Sequence, residues 1–305
     1  MSHAIELNHS LKPSVLVTGS SGYLGSHLIE KLKDTNVRVS AFFRNKIPNQ
    51  NQNIVPISGD LLDAHSIEGA LNGIHTVVHL AWDRHPSDSS FSESPNVIML
   101  KNLIQSMERL HIARMIFISA VGASRDGNTP FLKEKYLCEQ LLINSSIKEK
   151  IIIRCAVLFG GETDGGFITA VKSLMGMPLI YPVPMGDMLM SPLHVNDVCE
   201  FISKCIFVKM YDYCAIADLV GGEAYRLSQI FKIVNKRLGK NLIPVGSFLG
   251  NYLTKIIERK FSKQEPKISD YFFVGGRVEK KIRLRNPLTK LLPEKCLLFQ
   301  DVFTS

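Results

Sequence analysis

The stretch Val15-Leu16-Val17-Thr18-Gly19-Ser20-Ser21-Gly22-Tyr23-Leu24-Gly25, followed by a helix-like segment from His27 to Lys33, decides the fold. It reads as a strand, a glycine turn and a helix, the setting a phosphate-binding loop requires. Gly19 is expected to take the positive φ of the tight turn and Gly22 to let the backbone approach a diphosphate. Gly25 is expected to allow close packing of helix and strand. The anion would rest on free N–H groups at the helix mouth, with Ser21, Tyr23 and Leu24 as further contacts, and the helix dipole favours negative charge there.

Working outward, short apolar runs recur at Val37 to Phe43, Ile54 to Ile57, Thr76 to Leu80, Met115 to Ile118 and Ile151 to Val157, the last ending near Phe159. Helical periodicity lies between them, at Ser66 to Leu71, Val97 to Leu110 and Lys133 to Ile143. This alternation predicts an α/β protein with a doubly wound, mostly parallel Rossmann sheet. After Gly160-Gly161 the texture turns rich in Gly, Pro and Met, with a helix at Phe167 to Met175. A helix at Val195 to Val208, a strand at Ala215 to Val220 and a helix near Leu227 to Leu238 follow. The expected organisation is a dinucleotide-binding domain over 11–160, with 191–220 returning to it. A smaller C-terminal substrate lobe takes 161–190 and 221–305.

The 305 residues are 45% hydrophobic and 21% charged, which excludes a mostly disordered chain. No apolar run reaches the roughly 18 residues of a membrane span, since even Ile151 to Phe159 is interrupted by Arg154. The first 13 residues have no basic flank and no signal-like apolar stretch, so a cytoplasmic protein is expected. The six cysteines form no C-x-x-C pair, and no metal site is expected. The net charge of +8 gathers late, at Lys255, Arg259, Lys260, Lys263, Lys267, Arg277, Lys280, Lys281, Arg283 and Arg285. Tyr252, Phe261, Tyr271, Phe272 and Phe273 show no regular interleaving with these cations, which argues against a single-stranded nucleic-acid platform.

The T-G-x-x-G-x-x-G spacing at Thr18 to Gly25 resembles the short-chain dehydrogenase/reductase superfamily. Other segments are similar too. Gly59-Asp60-Leu61 resembles the place where that superfamily's Asp meets the adenine, and Val78-His79-Leu80-Ala81 its fourth-strand cofactor contact. Asn96-Val97 with Asn102-Leu103 resembles its N-V-x-x-T-x-N-L helix, and Leu193 to Val198 the h-V-x-D-V motif of extended and atypical members, the epimerase/dehydratase-like branch. The similarity covers roughly residues 13 to 205. It implies cofactor contacts from Asp60, Leu61, Leu80 and Ala81, and pairing of two subunits through the helices at 97–110 and 133–143.

An NAD site places a carboxylate at the end of the second strand, but Phe42-Phe43-Arg44-Asn45-Lys46 offers none. Arg44 suits a 2′-phosphate instead, so NADP(H) is favoured over NAD(H). The catalytic stretch departs from the family. The resemblance implies a Tyr-x-x-x-Lys helix whose lysine holds the nicotinamide ribose and lowers the tyrosine pKa. Here Phe131-Leu132-Lys133-Glu134-Lys135-Tyr136-Leu137-Cys138-Glu139 keeps Lys135 and Glu139 but puts Phe131 at the tyrosine position. Tyr136 lies about 140° around the helix from Phe131, on another face.

Two readings follow. In one, the chain is an atypical NADP-dependent oxidoreductase or epimerase acting on a small carbonyl or alcohol. Lys135 and Ser119 then form its catalytic site, and Tyr181, His194 or a water replaces the phenol. In the other, it holds NADP(H) without turnover as a sensor or assembly subunit, as the accessory subunit of respiratory complex I and the negative regulators of nitrogen metabolism are thought to do. His79 and His194 are expected as buried structural residues, and Arg154 as the partner of a core carboxylate.

Overall fold

Val15 and Val17 point to one face of the first strand and Leu16 to the other, yet all three are buried. Both faces are therefore covered, as a parallel sheet demands. The computed structural model describes residues 13–45, 53–83, 94–162, 164–184, 188–208, 213–260, 288, 291 and 296–304. The first half alternates β1 (Ser14–Thr18), α1 (Tyr23–Leu32), β2 (Arg38–Phe43), β3 (Ile54–Ser58), α2 (Ala64–Leu71), β4 (Thr76–His79), α3 (Pro95–Arg109), β5 (Arg114–Ala120), α4 (Pro130–Ile143) and β6 (Glu149–Cys155). Then come β7 (Leu158–Phe159), α5 (Gly166–Leu174), β8 (Ile180–Pro182), β9 (Leu189–Met190), β10 (Leu193–His194), α6 (Val195–Phe207) and β11 (Tyr213–Leu219). The chain ends in β12 (Tyr225–Arg226), α7 (Leu227–Arg237), β13 (Ile243–Val245), α8 (Ser247–Lys260) and α9 (Phe299–Thr304).

The main sheet has seven strands in the order β11-β6-β5-β4-β1-β2-β3, every pair parallel. The chain winds one way from β1 to β3 and the other way from β4 onward, so the topological switch lies between β1 and β4. Ligands of open α/β sheets sit at that point, outside the carboxyl ends of the strands. On one face Val15 and Val17 join Leu28, Ile29 and Leu32 of α1 and Val198, Phe201 and Ile202 of α6. On the other, Leu16 joins Leu100, Leu103 and Met107 of α3.

Three local expectations need correction. The first helix begins at Tyr23, not His27, because Gly22 is itself the extended residue that starts it. The strand expected to run to Phe159 is two strands. Ala156 N still bonds Leu219 O of β11, but Leu193 N bonds Val157 O and β7 pairs with β10 in a separate ribbon. Helix α8 was not foreseen, since Phe248, Leu249, Tyr252 and Ile256 lie exposed along it while its inward face is marked by the small residues Gly250 and Thr254 beside Ile257.

Around these ribbons a second apolar cluster forms from Phe159, Phe167, Tyr181, Phe231 and Phe299, with Tyr181 stacked on Phe231 at 5.6 Å. Asp197 of α6 accepts a hydrogen bond from Leu297 N at 3.0 Å, tying the sheet side to the segment before α9. Among the described residues no helix is long and apolar enough to cross a membrane. Of the late basic residues Lys255 is exposed on α8, while Lys263 to Arg285, with Phe261, Tyr271, Phe272 and Phe273, lie outside the described residues.

Candidate functional site

Because the sheet is parallel, Thr18, Arg44, Asp60, Ala81 and Ser119 all emerge at one edge. Backbone builds the first part of the site. Gly19 has φ +67°, and a Cβ there would lie 2.6 Å from Ala81 N, against the main chain of Leu80 and Ala81. Strain and collision both demand glycine. A Cβ on Gly25 would strike the Gly19 carbonyl, whereas one on Gly22 would meet only Gly19 O, at 3.2 Å. Helical hydrogen bonding begins with Ser26 N to Gly22 O at 2.8 Å, so the amides of Tyr23, Leu24 and Gly25 precede the ladder. These are the groups a helix offers to an anion. The buried Ser20 hydroxyl donates to Phe42 O at 2.9 Å, tying the loop to the end of β2. Ser21 and Leu24 are half-buried beside it.

The Tyr23 side chain does something else. Its hydroxyl donates to Gly160 O at 2.6 Å, and its ring meets His27 edge-on at 5.0 Å. Burial pushes the phenol above its ordinary value, so it stays neutral. The tyrosine thus fastens the segment after β7 across the glycine loop, and only its amide remains for a phosphate.

On the β2 and β3 side, Arg44 is exposed just beyond β2, and no acid accompanies it at Asn45. Asp60 Oδ1 accepts from Leu62 N at 2.9 Å, while Asp60 N donates to Ser66 Oγ at 3.3 Å. Leu61 is buried in the α2 and α3 core, and its carbonyl accepts from the Asn102 amide at 3.1 Å. Leu80 N and Ala81 N reach back to Thr18, at O (3.2 Å) and Oγ1 (3.4 Å).

The β4 and β5 side is made of side chains. Lys135 Nζ donates to Ile118 O at 2.8 Å and lies 3.5 Å from the centre of the Trp82 ring, with Phe117 at 5.1 Å and Phe131 at 5.8 Å. A desolvated cation over an indole face is worth about 2 kcal/mol. Burial pushes Lys135 down to about 8, against the upward pull of Cys138, Glu134, Cys155 and Glu139. Trp82 also meets Phe131 edge-on at 5.7 Å. Its chain is pinned by Asn96, whose Oδ1 accepts from Asp83 N at 2.6 Å and whose Nδ2 donates to Asp83 O at 2.9 Å and Glu134 Oε2 at 3.2 Å. His79 is buried, shares a 2.8 Å hydrogen bond with Thr18 Oγ1 and stacks on Phe117. Burial, helped by the Lys135 charge, pushes it down to about 3, so it is neutral at ordinary pH.

Ser119 donates to Glu139 Oε1 at 2.5 Å, and the fully buried Glu139 is held by Arg154 through Nε at 2.9 Å and an Nη at 2.6 Å. Arg154 thus meets the core carboxylate expected of it. Tyr181 lies in the second apolar cluster, and His194 caps α6 by accepting from Asn196 N at 3.2 Å. Sequence reasoning missed Trp82, and it named Asn96 only as part of a helix motif, not as the bracket of Asp83. The available signal was the chain's single tryptophan standing directly after Leu80-Ala81.

The profile of a family described as NAD(P)H-binding matches residues 19–175, half of the chain and all of the cradle just described. The chain belongs to this NAD(P)H-binding family. Its fold is shared with solved epimerase and dehydratase structures that hold NAD. The solved structure of the enzyme WbmG of Bordetella bronchiseptica in complex with NAD superposes with a TM-score of 0.64 at 18% identity, over 97% of this chain and 93% of that one. Among curated relatives, the photosystem II assembly factor Ycf39 of Cyanophora paradoxa is 21% identical over 235 residues, 75% of this chain and 70% of its own. The mitochondrial NADH dehydrogenase [ubiquinone] 1 alpha subcomplex subunit 9 of Dictyostelium discoideum is 22% identical over 271 residues, 83% of this chain and 73% of its own. Uncharacterised proteins of Mycobacterium tuberculosis and Mycobacterium bovis are 24% identical over 252 residues, 83% of this chain, which spans only 26% of their length.

Proposed function

We propose that this family member holds NADP(H) and does not turn it over, serving as a sensor or assembly subunit. One observation carries the reading: the Lys135 ammonium is enclosed by Trp82, Phe117 and Phe131 and bonded to a carbonyl, with no phenol at position 131 to relay a proton. A bound nicotinamide supplies a hydride acceptor or donor, but redox chemistry on a carbonyl or alcohol also needs a proton at the reacting oxygen. Ser119, which would polarise that oxygen, donates its hydroxyl hydrogen bond to Glu139 instead. The likeness to an assembly factor and a respiratory-complex subunit agrees with this reading.

The glycine cradle fits the diphosphate, with the amides of Tyr23, Leu24 and Gly25 as its grip. Asp60 and Leu61 stand on the adenosine side, and Ser21, Leu80 and Ala81 beside the diphosphate turn. The exposed Arg44, with no acid beside it, supports the 2′-phosphate and hence NADP(H) over NAD(H). A second reading keeps turnover: Lys135, brought down to about 8, is itself able to give up a proton near neutral pH in an epimerase or reductase.

Calorimetric titration with NADPH and NADH, followed by a carbonyl screen for oxidation of bound NADPH, separates the two. The expected result is binding without turnover. Arg44→Asp should weaken NADPH about tenfold more than NADH, some 1.4 kcal/mol. Turnover by the unaltered protein overturns the non-catalytic reading, and equal losses in Arg44→Asp overturn the 2′-phosphate assignment.

A further inference from the structure

A dinucleotide crossing the switch point lays one half over β2 and β3, where Arg44 and Asp60 stand, and the other toward β4 and β5. The second path is short. Trp82 follows Ala81, and Ala81 touches Gly19, so the indole stands one residue from the turn that would grip the diphosphate. From there its face covers Lys135 Nζ at 3.5 Å, a separation that leaves no space for another atom between them. Lys135 is only 7% exposed.

The indole is held in place from three sides. Its chain is locked by the reciprocal hydrogen bonds between Asn96 and the Asp83 backbone, and Asn96 is itself buried. Its ring abuts Phe131. Underneath, the lysine donates a hydrogen bond to Ile118 O. A ribose hydroxyl could reach that ammonium only by displacing the indole.

Building on the dinucleotide reading, we infer that the site recognises the adenosine diphosphate half of its ligand and that Trp82 excludes the nicotinamide riboside half from Lys135. Binding then reports nucleotide presence and is indifferent to whether the nicotinamide is oxidised or reduced. Asn96 is the positioning residue of this exclusion.

Calorimetry on the full chain tests this with ADP, the oxidised dinucleotide and the reduced dinucleotide, each with and without a 2′-phosphate. Within each set the three affinities should agree to about fivefold, and a larger advantage for either dinucleotide overturns the inference. Trp82→Ala should improve both dinucleotides about tenfold and leave ADP unchanged, whereas a loss of dinucleotide affinity would make the indole a stacking platform and overturn the inference. Asn96→Ala should shift the emission of this single tryptophan toward that of a solvated indole, and an unchanged spectrum removes Asn96 from the account. If Trp82→Ala does not fold, the comparison within the unaltered protein still decides. Absence of heat with every nucleotide removes the dinucleotide reading as well, while binding with a strong nicotinamide contribution removes this inference alone.

Discussion

The two ends of the cofactor path are built from different materials. At the glycine loop the determinants are main-chain atoms: a left-handed turn at Gly19, a carbonyl facing Gly25 and amides at a helix mouth. At the lysine end they are side chains, with Trp82, Phe131 and Lys135 packed on one another and Ser119 bound to Glu139. Backbone sites tolerate little change because a Cβ at Gly19 or Gly25 collides with main chain, whereas side-chain sites can be rewritten one residue at a time. A protein can therefore keep its grip on a nucleotide while its chemistry at the far end is lost.

The sharpest way to break this contrast is in the loop. Gly25→Val should abolish nucleotide binding, a loss of at least about a hundredfold, and cost roughly 1–3 kcal/mol of stability from overpacking against Gly19. Gly22→Ala, whose added carbon meets only one oxygen, should cost less than about tenfold in binding by calorimetry. Similar losses for both would mean the cradle is not defined by backbone contact.

Next comes the buried pair. Glu139→Ala leaves the Arg154 guanidinium and the Ser119 hydroxyl without their shared acceptor. Because Arg154 retains some solvent contact, the cost by urea unfolding should be about 3 kcal/mol, the low end for a broken buried pair. A cost below 1 kcal/mol would show that the network is dispensable.

The last test is a pH slope. Lys135 titrates near 8 when folded and at 10.5 when unfolded, so the unfolded chain holds more protons between those values. Stability should therefore rise with pH across that window, and below it the full cost of burying the charge remains. Lys135→Met should flatten the slope; a slope that survives the substitution belongs to another group.

The sheet was legible because its signals are local. Apolar β-branched runs alternate with helical periods, and Gly19 and Gly25 announce a turn that only glycine can make. The loss of the phenol at 131 was equally visible, since Lys135 and Glu139 fix the register of that helix. Trp82 was not legible as a lid over Lys135, because the contact joins residues 53 positions apart through the packing of β4 against β5. Ser119 posed the same problem: a hydroxyl after a strand looks alike whether it faces a crevice or, as here, a buried carboxylate. The split of the sixth strand depended on β10 arriving from a distant segment to capture Val157 and Phe159.

The order of the chain sets when this protein becomes competent. Helix α1, whose mouth forms the cradle, leans on α6, with Leu28 and Ile29 against Phe201 and Ile202 and a Lys31–Glu200 ion pair at 2.5 Å. That support is encoded some 170 residues after the loop it braces, and the last strand of the sheet, β11, later still. During synthesis the glycine turn emerges from the ribosome early but waits, unbraced, until residue 207 has followed it out. A nucleotide in the surrounding solution therefore meets a braced receptor only once α6 has been made, and a chain cut short after α5 carries the recognisable motif without the scaffold that makes it rigid.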